Sequence, residues 1–167
     1  MPHNTYHVFT NCRVNHSRGI LVPQIVYNPA TPPFPKLPDI TFAQGQHCGV
    51  SLLSALGCHQ AILADGETRP VMTTTSTKIK IRILWPGYQE FSKDINVREH
   101  TRAGDPIPKW KLAFCVAQVV QAFYTGAVLS GNPEDWSIHR IPFGSLRLLE
   151  LRHVSTGSWQ PVLIYEP

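Results

Sequence analysis

The stretch from Thr77 to Trp85 constrains this chain more than any other. Ile79, Ile81, Ile83 and Trp85 fall at every second position, with Lys78, Lys80 and Arg82 between them. Side chains on a strand alternate between the two faces of a sheet, and β-branched residues suit a pleated, half-buried surface. One face of this strand is therefore core and the other wet, as in an antiparallel or mixed sheet with one open side. Pro86-Gly87 ends the run, because proline lacks a donor and glycine accepts positive φ. Tyr88 to Val97 is expected to return as the partner strand, with a bulge where its alternation slips.

A helix follows. Leu112, Cys115, Val116, Val119, Val120 and Phe123 recur at helical spacing and make one apolar stripe. Asp105 with Pro106 and Pro108 marks its start and Gly126 its stop, which predicts a long helix over 107–124. A shorter helix is expected over 48–56, closed by Gly57. Asp39 to Ala43 reads as a short strand. Residues 136–143 read as extended. Residues 145–154 and 159–165 read as two strands joined by a glycine-containing turn, with a bulge near Leu148-Leu149.

The expected fold class is α+β: a mainly antiparallel sheet with one long and one short helix packed on one face. At 167 residues the chain is expected to form one domain. Residues 1–38 form a proline-rich N-terminal arm or edge segment and residues 39–167 the α+β core. Pro29, Pro32, Pro33, Pro35 and Pro38 favour polyproline II. That arm is either a ligand for an SH3- or WW-type domain or a stiff connector with Phe34 and Leu37 tucked against the core.

The net charge of +4 is unevenly spread. Residues 76–111 carry eight Lys/Arg against four Asp/Glu, while the segments before and after are close to balance at four against three and three against four. The positive excess thus falls on the central strands and the start of the long helix. Lys78, Lys80 and Arg82, with Trp85 and Tyr88 at the adjoining turn, are the candidate binding residues, for an acidic protein or for a nucleic acid or other polyanion. The same lysines also suit an edge strand protected from further pairing.

Cys12, Cys48, Cys58 and Cys115 are irregularly spaced, which suits reduced thiols better than a disulfide framework. No apolar run resembles a signal peptide or a membrane span, so an intracellular protein, cytoplasmic or nuclear, is expected. Cys48 is the candidate nucleophile. At the start of the expected short helix, the positive end of the helix dipole would favour its thiolate. His100, His139 or His153 would be the base of a cysteine-dependent hydrolase. The departures from a papain-like pattern are large: that pattern's nucleophile position is Ser51 here, and His47 adjoins Cys48 in the chain. His47-Cys48 and Cys58-His59 lie too far apart across a helix to share a zinc ion. No metal site and no cofactor are expected.

Ile81 to Tyr88, the helix from Pro106 to Phe123, and Val154 to Pro161 together resemble a group of proteins from mushroom-forming (basidiomycete) fungi. Gly49 to Leu56 resembles a second, short helix of that group. The resemblance covers roughly the last 120 residues. It implies a fungal intracellular protein, a plain helix at Gly49–Leu56, and no particular activity. The function expected from the sequence is a non-enzymatic protein-interaction or regulatory module. Its partner would be another protein or a second copy of the chain.

Overall fold

The structure, a computed structural model, describes residues 19–29, 33–73 and 75–167. Cys12 and part of the expected arm (1–18 and 30–32) lie outside the described residues. The fold is α+β, built on one large, mostly antiparallel sheet. In chain order its strands are β1 (Ile20–Leu21), β2 (Ile40–Thr41), β5 (Val50–Ser51), β6 (Lys78–Ile83), β7 (Phe91–Asn96), β8 (Leu146–Ser155) and β9 (Ser158–Tyr165). A separate two-stranded hairpin holds β3 (Ala43–Gln44) and β4 (His47–Cys48). The helices are α1 (Leu52–Leu56) and α2 (Lys109–Gly126).

Along the sheet the order is β2-β8-β9-β6-β7, with β5 also on β8 and β1 also on β9. All of these pairings are antiparallel except β6 with β9, which run parallel through Lys80↔Ser158 and Ile81↔Trp159. Two hairpins, β6–β7 and β8–β9, are thus joined along one parallel seam.

The period-two pattern of β6 is realised as expected. Ile79, Ile81 and Ile83 lie at 0–1% exposure under α2 and join one core with Leu112, Val116, Val120, Phe123, Leu148 and Trp159. Each fully buried side chain of this size contributes about 1.5–3 kcal/mol. The register of β8 and β9 shifts between Leu148 and Glu150, where a bulge was expected, and again between His153 and Ser155.

Four local expectations are corrected. The short helix begins at Leu52 rather than 48, because residues 47–51 are consumed by strand pairing. Gly49 has a φ of +74°, incompatible with a right-handed helix, and an added Cβ there would lie 2.9 Å from the Leu148 carbonyl oxygen. The cap falls instead on Ser51, whose side chain accepts from the Ser54 N–H. The long helix runs over Lys109–Gly126 because Ile107 donates its N–H to the Val97 carbonyl and cannot turn into the helix. Strand β7 is shorter than expected and pairs with β6 without a bulge, since Tyr88 bridges to Leu129 instead. Residues 136–143 are not extended: a 3-10 turn at Glu134–Trp136 and a further turn at 137–141 replace the expected strand.

The arm behaves as a connector laid against the core. Val22 is buried in the main core, and Gln24 inserts where β9 and β6 diverge, donating to the Pro161 carbonyl and accepting from the Leu84 N–H. Further on, Phe34 and Leu37 are partly buried beside the end of β8.

Candidate functional site

The candidate binding face on β6 is largely neutralised. Register places Asp94 opposite Lys80, and their side chains pair at 2.9 Å. Lys80 holds the Asp94 carboxyl below its usual value, first by this hydrogen bond and then by its charge. Arg82 pairs with Glu90, donates from Nε to Ser158 Oγ at 3.1 Å, and stacks under the Tyr27 ring at 4.0 Å. Lys78 is exposed.

Trp85 and Tyr88 are not surface residues, and their expected binding role is overturned. Both are buried; Trp85 Nε1 donates to the Trp136 carbonyl, and the Tyr88 hydroxyl accepts from the Ile138 N–H. The physical reason is the chain at 128–133, which folds over the turn. Ser130 donates to the Gly87 carbonyl, and Pro133 lies where a Cβ on Gly87 would be, at 2.4 Å. Around them Phe91, Phe123 and Tyr124 form an edge-on aromatic cluster. Burial there pushes the Tyr124 phenol well above its ordinary value.

The cysteine chemistry is also corrected. Cys48 is disulfide-bonded and packs against Leu149 and Ile164, so its sulfur is not a thiolate and the expectation of uniformly reduced thiols fails. Cys58 and Cys115 are free, and burial raises the Cys115 thiol above its usual value. His100 and His139 are exposed loop residues outside the Cys48 cluster. Among the described residues no three His, Cys, Asp or Glu side chains group as metal ligands, and no helix is long and apolar enough to cross a membrane.

The most unusual polar group carries no signature in the sequence. Lys109 is the first residue of α2, and its side chain is only 9% exposed. A cation is unwelcome there, since the helix N-terminus already carries partial positive charge, and Pro108 supplies no side-chain cap. The loop 65–71 compensates. The Thr68 and Gly66 carbonyls accept from the Lys109 and Trp110 N–H groups at 2.8 and 3.0 Å, and Asp65 takes the Lys109 ammonium at 2.5 Å. The next lysine is served likewise: Lys111 pairs with Glu99 at 2.9 Å, and Arg69 approaches Glu99 at 3.7 Å. The Glu99 carboxyl is held below its usual value, chiefly by the Lys111 hydrogen bond.

An open cleft of about 440 Å³ lies over Lys109, between residues 37–41 and 68–71. One wall is β2, at the end of the sheet, and the other is the capping loop. The Phe42 ring, itself buried, sits 5.6 Å from the ammonium. An ammonium has three donors, and Asp65 is the one acceptor that Lys109 has among the described residues. Arg69 adds a second cation to the rim, and its guanidinium also donates to the Pro106 carbonyl at 2.6 Å.

The inner wall of the cleft is fastened to His153. This imidazole is 5% exposed, stacked on Trp159 with ring centres 4.5 Å apart and met edge-on by Phe34. Leu37 donates its N–H to His153 Nδ1 at 2.8 Å, which places the imidazole proton on Nε2. The His153 N–H in turn donates to Asp39 Oδ1 at 3.1 Å, and Lys36 lies 3.6 Å from the other oxygen of that carboxylate. Prolines flanking the contact cannot complete a strand ladder, so these two side-chain bonds replace one. His153, a candidate base by sequence, serves as an acceptor for backbone. No family model, no curated protein and no solved structure matches the chain.

Proposed function

We propose that this protein is a non-catalytic interaction module whose Lys109 cleft receives a carboxylate from an acidic segment of a partner protein. The observation that carries this is the buried Lys109 ammonium, with one acceptor for its three donors, at the floor of an open cleft. In an open cleft the donors that Asp65 leaves free face water, and a carboxylate would take them up with a charge-assisted bond. The neighbouring Asp39 does not oppose an acidic ligand strongly, because Lys36 and the His153 N–H already engage it. The cleft is open rather than enclosed and runs beside the edge of β2, which suits an extended chain better than an engulfed small molecule.

The test compares a blocked peptide carrying one glutamate with its glutamine counterpart, titrated against the isotope-labelled protein. The glutamate peptide is expected to shift the Lys109 and Thr68 resonances, with the effect lost in Lys109→Met and kept in Lys78→Ala. Benzoate supplies the same carboxylate without a peptide. Equal affinity for benzoate and the glutamate peptide would make the cleft a small-acid site. No shift with either would end the proposal.

A further inference from the structure

We propose that His153 is a proton-operated latch on the inner wall of the Lys109 cleft, releasing residues 34–39 and weakening ligand capture when its imidazole gains a proton. The link to capture rests on the function proposed above; the latch itself rests on geometry. Leu37, Pro38 and Asp39 are three of the residues that wall the cleft. Their fastening to β8 converges on one residue through two bonds, Leu37 N–H to Nδ1 and His153 N–H to Asp39 Oδ1. The first needs Nδ1 as an acceptor. In the imidazolium both ring nitrogens are donors, so Leu37 N–H would then face another N–H. Nothing else on the ring can take that bond.

The charged surroundings set the direction. Burial is the largest influence and disfavours the cation; Lys36 on the arm also opposes it, while Asp39 on the arm and the Ser155 backbone favour it. Arg152, the neighbour on β8, is engaged by Glu150 at 2.6 Å. Trp159 and Phe34 bring no charge. The net effect holds the imidazole below its ordinary value. Protons have a route to the ring, because a second cavity of about 410 Å³, between the arm and the end of β8, is lined by His153 together with Lys36, Tyr27 and Arg152. The latch therefore stays closed at neutral pH and opens on acidification below the normal imidazole range.

Nitrogen-15 NMR of the whole chain tests this. At about pH 7.5 the ring of His153 should show the Nε2–H tautomer, and its titration midpoint should fall below about 6.5. The Leu37 amide should shift with that same midpoint. Benzoate, still ionised at about pH 5.5, should bind about threefold or more weakly there than at pH 7.5. His153→Gln, whose amide oxygen can accept from Leu37 without titrating, should remove both dependences. Lys36→Gln should raise the midpoint, and this arm needs no change at the latch itself. A Leu37 amide indifferent to the titration of His153 would overturn the latch. A moving Leu37 amide with unchanged benzoate affinity would overturn the coupling to capture. Absence of binding by both benzoate and the glutamate peptide at either pH would count against the proposed function, and Leu37 alone would then decide the latch; with the peptide alone binding, the same pH comparison is made with the peptide.

Discussion

Two lysines near opposite ends of the same basic stretch of sequence each pair with a carboxylate, and the two pairs do different things. Lys80 and Asp94 face each other across β6 and β7 with both side chains open to water, at 39% and 54% exposure. Lys109 meets Asp65 with the cation at 9% and the carboxylate at 49%. The first pair is a surface contact of the kind that contributes little. The second holds a charge already removed from water, so its partner cannot be deleted freely. Ion-pair distance does not separate the two; burial of the cation does.

The sharpest way to break this comparison is Asp65→Ala. It should destabilise the fold by about 1–3 kcal/mol, read from urea denaturation, since it strands the Lys109 ammonium. Adding Lys109→Met should recover most of that loss, because methionine keeps the apolar stem and removes the charge that needed a partner. A double variant as unstable as Asp65→Ala alone would mean that the loop, rather than the charge, had been damaged.

His153→Gln is a smaller change. At neutral pH it should alter stability by no more than about 1 kcal/mol, with the Leu37 bond retained. Its mark is in the pH profile. The folded imidazole titrates below its ordinary value of 6.5, so the unfolded chain binds more protons as pH falls. Stability is then fully present above that ordinary value and is lost as pH drops through the folded one. The variant should flatten the slope across that interval.

The smallest effect is expected at the strand pair. Lys80→Ala should leave the urea midpoint unmoved within error, in low salt and high. The depressed Asp94 carboxyl contributes fully above its unfolded value of 3.8, and that contribution is lost as pH falls from there through the folded value. A clear loss of stability in Lys80→Ala near neutral pH would erase the distinction between the pairs.

Long periodic segments were legible in the sequence. Alternating isoleucines specify β6, the apolar stripe specifies α2, and a glycine turn between two apolar runs specifies the β8–β9 hairpin. Of the short strands, β2 falls within the strand expected over Asp39 to Ala43, but β4 and β5 were not legible, because two-residue pairings leave no period to detect. The charge excess in residues 76–111 was correct as a sum, but its assignment to a patch ignored the returning strand. With Pro86-Gly87 as the turn, Asp94 and Glu90 come back beside Lys80 and Arg82. The helix cap escaped because it is made of the Thr68 and Gly66 backbone carbonyls, which any residue could supply. Lys109 escaped for a related reason. A lysine in the first turn of a helix reads as solvated until the loop and Phe42 are known to cover it. Trp85 belonged to the apolar face by parity, and that parity outweighed its place beside a turn.

Strand β9 follows the other described strands and helices yet lies between β8 and β6. During synthesis the β6–β7 hairpin and α2 emerge long before the segment that closes the seam beside Ile81. Contacts of this separation in sequence form slowly, and the exposed edge of β6 must wait for them with its isoleucines only partly covered. The nascent protein is therefore most vulnerable to wrong pairing in the interval between the emergence of β6 and that of β9.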